Sequence, residues 1–338
     1  MSGLPRRAAA LALRRLRRRW SLATGRPRLQ WAIKISAPEG STGDVWGDVY
    51  FAHDLAVSLR ALGQRVRIDR LGQHGRTGGR FSDDVVIHLV GLHDPVPQDG
   101  AVNLIWVISH PELVTDQVLG RRWNGRYAAS LSWAAEHSAP DRAVAGLLQA
   151  TDPHRFAPDG PRDADLEADV LFVGKTREVY RPIVRDAIEA GADLQIYGDG
   201  WEAFIDPRYV RADFLANERV PAAYRSARIV LNDHWADMAD EGFVSNRLFD
   251  AVAVGARVVS DDVSGLPEEF GSSVQVYRSP DELHALLDPA ATVWPDAAAR
   301  RRAAGAVAQA HSFDARARRL LRDVLVARAS RHRARRDT

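Results

Sequence analysis

The stretch that decides the fold of the second half of the chain is Arg228–Phe270, RIVLNDHWADMADEGFVSNRLFDAVAVGARVVSDDVSGLPEEF. Its apolar runs predict one buried strand over Ile229–Asn232 and a second over Arg257–Ser260. Between them, apolar side chains recur at helical spacing from Leu248 to Ala253, and Gly255 follows as a stop signal. The stretch therefore predicts a strand, a helix packed on a sheet, and a second strand.

Polar residues gather where this helix is expected to begin. Glu241, Gly242 and Ser245 fall at the predicted start, after the carboxyl end of a strand. Unpaired N–H groups and the positive end of the helix dipole attract anions such as a diphosphate. Open α/β sheets also bind ligands at the carboxyl edge of their strands. We therefore predict an anion site here, with the Asp250 carboxylate further along the same helix.

Length and composition set the broad class. A chain of 338 residues is too long for one average domain and suits two. The absence of cysteine excludes disulfides and thiolate metal sites and is compatible with a reducing, cytoplasmic compartment. The formal net charge is only +2, and the excess of arginine lies at the two ends.

Residues 1–28 form an extension rich in arginine and free of acidic residues. Arginines interrupt its apolar run, so it predicts neither a signal peptide nor a membrane-spanning helix. Three interpretations stay open: a solvated extension, a basic helix lying on an anionic membrane surface, and an arm for nucleic acid. Because the chain lacks a surface motif of interleaved basic and aromatic residues, we expect no nucleic-acid partner. The basic tail from Arg328 is expected to be disordered.

The first half predicts the opening of a Rossmann-like domain. A strand over Leu29–Ser36 leads through a loop into a helix over Val49–Leu62 and a second strand over Gln64–Leu71. Gly47, at the helix start, would let a ligand approach the backbone. The loop lacks the G-x-G-x-x-G fingerprint, which argues against a dinucleotide-dependent dehydrogenase.

The sequence predicts three further features of the structure. His110 follows a buried strand over Val102–Ile108, at the edge where ligands bind in such folds. A weaker strand is expected over Tyr127–Trp133. A long helical region is expected over Ala297–Ala329.

Several motifs, taken in order, resemble a known family. LFVGKTREVYR (171–181), LQIYGDGW (194–201) and EGFVSNRLFDAVAVGARVVSDDVSGLPEEF (241–270) resemble the donor-site region of GT-B glycosyltransferases of the "glycosyl transferases group 1" kind, which includes CgeB-like proteins. The first half is similar to the acceptor-side domain of this family over residues 47–66, and residues 146–158 resemble its hinge. Two features differ from the family pattern. Asp250 stands where the family usually has Glu, and it is one residue further from Glu241 than the common spacing.

The resemblance implies an α/β fold of the GT-B type, in which two Rossmann-like domains face each other across a cleft and a C-terminal helix crosses back. In this chain it predicts an N-terminal acceptor-side domain over residues 29–160 and a nucleotide-sugar donor domain over 161–325. The extension 1–28 and the basic tail 326–338 lie outside these domains.

The resemblance also implies roles for individual residues. Lys175 and Arg181 would neutralise the leaving diphosphate, Glu241 would contact hydroxyls of the donor sugar, and His110 would stabilise or orient that sugar. Asp250 would hold the ribose. The other residues expected to bind the donor are Gly47, Gly174, Arg177, Gly198, Trp201, Gly242, Phe243, Ser245, Asn246 and Arg247, of which Gly198 and Trp201 would frame the base.

The implied activity is the transfer of a sugar from a nucleoside-diphosphate sugar with retention of anomeric configuration. Neither a cofactor nor a bound metal is expected, because Asp261 and Asp262 are adjacent on an extended chain and point apart. The expected acceptor is a glycan, a lipid-linked molecule or another cell-envelope precursor. The alternative is a nucleotide-sugar-binding or scaffold protein without catalytic activity on the same fold.

Overall fold

The computed structural model describes residues 27–334, which form two compact units. Unit 1 comprises the described residues up to Leu148 together with those from Phe313 onward, and unit 2 comprises Gln149–Ser312. The last helix of unit 1 therefore follows unit 2 in the sequence. The composition of the linker predicted a boundary near residue 160, somewhat later than the division after Leu148.

Unit 1 is built on a sheet of six parallel strands in the order β2-β1-β3-β4-β5-β6. Its two central strands, β3 and β4, are buried along their whole length, so both faces of the sheet are covered. The strands are β1 (Gln30–Lys34), β2 (Arg65–Asp69), β3 (Val85–Val90), β4 (Val102–Val107), β5 (Gly125–Ala128) and β6 (Ala145–Gly146). The helices before β6 are α1 (Ser41–Asp44), α2 (Gly47–Ala61), α3 (Gly79–Ser82), α4 (Asp116–Leu119) and α5 (Leu131–Glu136).

Unit 2 repeats this architecture with six parallel strands in the order β12-β11-β10-β7-β8-β9. The strands are β7 (Ala168–Val173), β8 (Leu194–Tyr197), β9 (Val210–Ala212), β10 (Ala227–Asn232), β11 (Val258–Ser260) and β12 (Val274–Val276). The helices are α6 (Pro182–Glu189), α7 (Val220–Ser226), α8 (Ala236–Asp240), α9 (Asn246–Ala253), α10 (Pro280–Leu287) and α11 (Ala297–Ala310). Two parallel Rossmann-like sheets confirm the predicted α/β fold class.

The last helix, α12 (Phe313–Ala334), belongs to unit 1. Phe313, Ala317, Leu320 and Val324 form its buried stripe. The Phe313 ring meets Phe51 of α2 edge to face with ring centroids 4.8 Å apart. Apolar burial of this kind is the main contribution to helix stability within a protein.

Two predicted elements differ from the observed ones for local reasons. The strand expected over Tyr127–Trp133 stops at Ala128, because the Ser130 hydroxyl accepts from the Trp133 amide and caps α5. The helical region expected over 297–329 is broken at His311 and Ser312. There the backbone pairs with Thr151, whose amide donates to the His311 carbonyl over 2.9 Å.

The ends of the chain are only partly described. The prediction of disorder from Arg328 is wrong up to Ala334, since α12 continues to that residue through a run of good helix formers. The extension 1–28 lies outside the described residues apart from its last two. Within residues 27–334, none of the helices has the length and apolar character needed to cross a bilayer.

Candidate functional site

Two loops meet at the carboxyl edge of the unit 2 sheet, one after β7 and one after β8. The Gly174 amide donates to the Tyr197 carbonyl over 2.8 Å, and the Thr176 amide donates to the Asp199 carbonyl over 3.2 Å. A Cβ atom at Gly198 would lie less than 3.0 Å from the Gly174 carbonyl oxygen. Glycine at 198 is therefore required for the two loops to approach this closely.

The loop after β7 contains a strained backbone. Arg177 and Glu178 both have φ of 61°, in the left-handed region that residues other than glycine rarely adopt. The Arg177 guanidinium lies 4.2 Å from the centroid of the Trp235 ring, which follows β10. Burial, followed by the nearby Arg247, lowers the pKa of Arg177 to about 10. Such strain persists where the surroundings impose it, and it is concentrated at functional sites.

Two guanidinium groups lie beside Gly174, and that of Arg177 is close enough to act on both of them electrostatically. A Cβ atom on this glycine would lie 3.0 Å from both Arg181 Nη1 and Arg247 Nη2. Arg181 and Arg247 also lie over the same Phe172 ring, at 4.5 and 5.1 Å from its centroid. Arg177 repels Arg181 electrostatically, as Arg247 does. The cluster is therefore a concentration of positive charge at the carboxyl edge of the sheet.

Arg181 is held by a buried carboxylate. Its side chain is 2% exposed and forms two hydrogen bonds to Asp233, while its Nη1 donates to the Lys175 carbonyl over 2.7 Å. Burial, then Arg177 and Arg247, lowers the pKa of Arg181, but the paired Asp233 keeps the guanidinium charged. Arg181 thus fixes the loop after β7 and supplies charge from below the surface of the site.

Arg247 is the more accessible member of the cluster. It stands in the first turn of α9, is 15% exposed, donates to Asn232 over 3.2 Å and lies 3.7 Å from Asp233. Ser245 occupies the N-cap of α9, but its hydroxyl makes no capping bond. Helix geometry leaves the amides of this first turn without intrahelical acceptors. Arg247 and the start of α9 therefore present positive charge and N–H donors together.

A histidine that the sequence analysis did not single out supports this helix start. His234 follows β10, its backbone amide donates to Asp261 over 2.8 Å, and its Nδ1 donates to the same carboxylate over 2.6 Å. Its Nε2 accepts from the Ser245 amide over 2.9 Å. These bonds fix the imidazole tautomer and tie the mouth of α9 to the ends of β10 and β11. The neighbouring Asp262 instead pairs with Arg278.

Asp250, the predicted ribose ligand, lies one turn into α9. Its carboxylate accepts from the Thr151 hydroxyl over 2.7 Å and from the Asn246 amide nitrogen over 2.9 Å. The structure thus brings Asp250 and Asn246 together on one helix with Arg247. Their roles toward a donor stay predictions.

Glu241 and Gly242 were predicted at the start of α9, but they do not lie there. They end the preceding helix α8, where Glu241 is the C-cap residue and Gly242 has φ of 71°. Glycine in this left-handed position is a common helix stop, which is why the two residues belong to α8. Phe243 follows with a fully buried side chain, so only its backbone could reach a ligand.

Trp201 lies elsewhere than expected, and the predicted role of Lys175 stays a prediction. Trp201 is 1% exposed and its Nε1 donates to the Gly174 carbonyl over 3.0 Å. The ring is part of the unit 2 core and cannot stack on a base from there, so it supports the Gly174 loop instead. Lys175 is 51% exposed and pairs with the equally exposed Asp199 over 3.0 Å. Such a surface pair exchanges readily with other partners.

Gly47 and His110 both belong to unit 1. Gly47 is the exposed first residue of α2, and a Cβ atom there would meet no neighbour within 4 Å. His110 lies after β4 with φ of 51°, and its Nδ1 is 3.4 Å from Glu112. Their predicted contacts with a donor stay predictions.

A polar cavity of about 660 Å³ opens at the opposite edge of the unit 2 sheet. It is lined at the amino ends of strands by residues such as Asp169, Arg228 and Arg257. Ligands of open α/β sheets bind at the carboxyl ends of strands, so this cavity is separate from the candidate site.

Comparison with known proteins finds a family model that matches part of the chain. Residues 176–322 match the family model described as "Glycosyl transferase-like". A search of curated proteins finds no match. Among solved structures, sucrose-phosphate synthase from Thermosynechococcus elongatus superposes with a TM-score of 0.59 at 12% identity, covering 89% of this chain and 100% of that one.

Two other structures have the same fold. The catalytic domain of starch synthase IV from Arabidopsis thaliana, bound to ADP and acarbose, gives a TM-score of 0.51 at 10% identity over 89% of this chain and 99% of that one. The T4 phage enzyme BGT in complex with its UDP-glucose substrate gives 0.53 at 12% identity over 88% and 99%. The chain therefore has the fold of these structures, and its residues 176–322 are similar to glycosyl transferase-like proteins.

Proposed function

We propose that the chain transfers a sugar from a nucleoside-diphosphate sugar to a hydroxyl of a glycan, a lipid-linked molecule or another cell-envelope precursor. The observation that carries this proposal is the position of Arg181 and Arg247 beside Gly174 and the start of α9, with Arg177 close enough to repel Arg181. Arg181 and Arg247 share one buried carboxylate, Asp233, so the cluster keeps a net positive charge that two phosphate groups could neutralise. A diphosphate leaving group also needs stabilisation when the bond to the sugar breaks.

The proposed reaction keeps its electrons and protons in balance. The bond between the anomeric carbon and the phosphate oxygen breaks, and its electron pair stays on the diphosphate. The acceptor oxygen bonds to the same carbon, from the face that the leaving group vacates, and its proton passes to the leaving phosphate oxygen. Fixed arginines and backbone N–H donors neutralise the developing charge, which supports transfer without a catalytic metal, whereas retention is what the family resemblance implies.

Asp250 is proposed to accept hydrogen bonds from the two vicinal ribose hydroxyls. In the structure, Thr151 and Asn246 donate to its carboxylate and orient it. Lys175 is proposed to exchange Asp199 for a phosphate oxygen, because both members of that pair are half exposed. His110 is proposed to contact the donor sugar. Arg181 acts as a positioning residue, since its side chain is bound to Asp233.

Nucleotide binding is tested by thermal shift with UDP, GDP and ADP, because a ligand of the native state raises the melting temperature. Arg247→Ala should weaken the preferred nucleotide about 10- to 100-fold, since a hydrogen bond to a charged group contributes about 1.5–3 kcal/mol. The matched control is Arg301→Ala, an arginine of α11 that is 60% exposed and pairs with Asp159 at the surface. Equal binding by both variants would refute the arginine site.

Turnover is measured separately with the preferred sugar nucleotide and a panel of acceptors. If configuration is retained, NMR should show that a donor with an axial anomeric bond gives a product with an axial anomeric bond. The rate should not rise when Mg²⁺ or Mn²⁺ is added. Tight nucleotide binding without transfer or hydrolysis would instead support the scaffold alternative. An inverted product would contradict the proposed stereochemistry while leaving the binding site in place.

A further inference from the structure

A cluster of three histidines lies in unit 1 and takes no part in the proposed transfer. His88 is on β3, His93 follows that strand, and His74 follows β2. One ring nitrogen of each lies within 4.8 Å of the other two. His88 and His93 are buried and His74 is half-buried. All three are near the carboxyl edge of the sheet.

The distance between the two buried rings suits a shared metal ion. His88 Nδ1 and His93 Nε2 are 3.1 Å apart. Two nitrogens bound to one tetrahedral Zn²⁺ at 2.0–2.1 Å would be separated by about 3.3 Å. The chain has no cysteine and therefore no thiolate ligand. Imidazole is then the side chain best suited to bind zinc.

The opposite nitrogen of each ring already has an oxygen partner. His88 Nε2 is 3.2 Å from the Val96 carbonyl, and His74 Nε2 is 3.0 Å from the Ile35 carbonyl. His93 Nδ1 is 2.8 Å from the Ser36 hydroxyl. Histidines that bind metals almost always use their second nitrogen in this way, because the bond fixes the tautomer and the orientation of the ring.

We propose that His74, His88 and His93 bind one Zn²⁺ ion, with a water molecule at the fourth position. His88 binds through Nδ1 and His93 through Nε2, the two nitrogens that now face each other. His74 binds through Nδ1, since its Nε2 is held by Ile35. The ion joins the segment after β2 to β3 and the loop that follows it.

Binding requires a change of tautomer at His93 but no net loss of a proton. Without metal, His88 Nε2 donates to Val96, so His93 Nε2 must donate to His88 Nδ1. When the ion binds, the His93 proton moves to Nδ1, where the Ser36 hydroxyl oxygen accepts it. That oxygen also accepts from the Leu92 amide over 2.9 Å, which uses both of its lone pairs.

Nearby charges act in both directions. Lys34 donates to the His74 carbonyl over 2.9 Å, and its charge opposes a bound cation. The negative charges of Asp69 and Asp83 near Lys34, and of Asp94 near His93, favour a bound cation instead. The coordinate bonds of three imidazoles must exceed the repulsion from Lys34 for the ion to stay bound.

The test uses the full chain, purified without a histidine tag and freed of metal with a chelator. Titration with Co²⁺ should give the intense visible absorption of a tetrahedral site at one ion per chain, and Zn²⁺ should displace the Co²⁺. Zn²⁺ should also raise the melting temperature. His74→Gln and His93→Gln should abolish the absorption, and Ser36→Ala should weaken binding about 10- to 100-fold.

The matched control is His53→Gln, a histidine of the same unit that is 63% exposed and outside the cluster, and it should bind Co²⁺ as the parent chain does. His74→Gln changes only a half-buried ring, and its circular dichroism spectrum shows whether the fold is kept. The parent chain decides the matter in any case. A parent chain without tetrahedral Co²⁺ absorption and without a Zn²⁺-dependent melting shift would show that the three rings form only a hydrogen-bonded chain, and would overturn the site.

Discussion

The buried pair of Arg181 and Asp233 gives the most demanding prediction about unit 2. Asp233→Asn removes the negative charge but keeps the shape of the side chain. Arg181, only 2% exposed, would then be a buried cation without a counter-ion, next to the positive charges of Arg177 and Arg247. Breaking a buried pair by removing one partner costs about 3–5 kcal/mol.

This magnitude can be compared with that of a surface pair in the same unit. Lys175 and Asp199 are joined over 3.0 Å with about half of each side chain exposed. Asp199→Asn should therefore cost only about 0–1 kcal/mol. For a unit of this size, 1 kcal/mol corresponds to a shift of roughly 2–4 °C, so Asp233→Asn should lower the melting temperature by about 6–20 °C.

The assay is thermal and urea unfolding of the two single variants and of a double variant, Arg181→Met with Asp233→Leu. Because apolar residues of similar volume often replace a buried pair at little cost, the double variant should recover most of the lost stability. Equal melting temperatures for Asp233→Asn and Asp199→Asn would refute the reasoning. A double variant less stable than Asp233→Asn would refute the explanation by an unpaired charge.

Two further predictions concern the geometry of the same site. Gly198→Ala should cost more than the roughly 1 kcal/mol of a left-handed backbone, because its Cβ atom would lie against the Gly174 carbonyl; Gly265→Ala, with φ of 78° and open space around it, should cost only that amount in urea unfolding. Equal costs would contradict the close approach of the two loops. His234→Ala removes the acceptor of the Ser245 amide and should weaken nucleotide binding by about 1–3 kcal/mol, measured by calorimetry. Unchanged affinity would show that the helix start does not depend on His234.

The alternation of apolar strands with amphipathic helices along the sequence was sufficient to predict the α/β fold. The strand predicted over Ile229–Asn232 is the inner part of β10, and the helix predicted from its apolar stripe is α9. Alternation of buried strands with amphipathic helices depends on local sequence, and the ordered motifs pointed to the fold that the structure has. The family model described as "Glycosyl transferase-like" matches residues 176–322, which contain most of those motifs.

Individual side chains were harder to predict because their partners are distant in sequence. Arg181 pairs with Asp233, which is 52 residues away, and nothing local shows that the pair is buried. Trp201 was expected near a base, although an indole is equally able to fill a core and donate to a carbonyl. His234 carried one usable signal, its position directly after a buried strand, but a single histidine there has many structural explanations.

The three histidines of unit 1 show the same limit more clearly. His88 and His93 are five residues apart and His74 is on a different loop, so their spacing matches none of the common zinc motifs. Only the pairing of β1 with both β2 and β3 brings their loops together. Parallel pairing through crossovers is not encoded in the spacing of any one segment.

The last helix has a consequence for the order in which the protein is made. Unit 2 is continuous in sequence, whereas the apolar stripe of α12 that completes unit 1 ends at Val324. During synthesis, the half that is translated second therefore has all of its strands and helices before the half that is translated first. The nascent amino-terminal sheet must wait, with the Phe51 ring still uncovered on this side, until the whole of unit 2 and the stripe of α12 have left the ribosome.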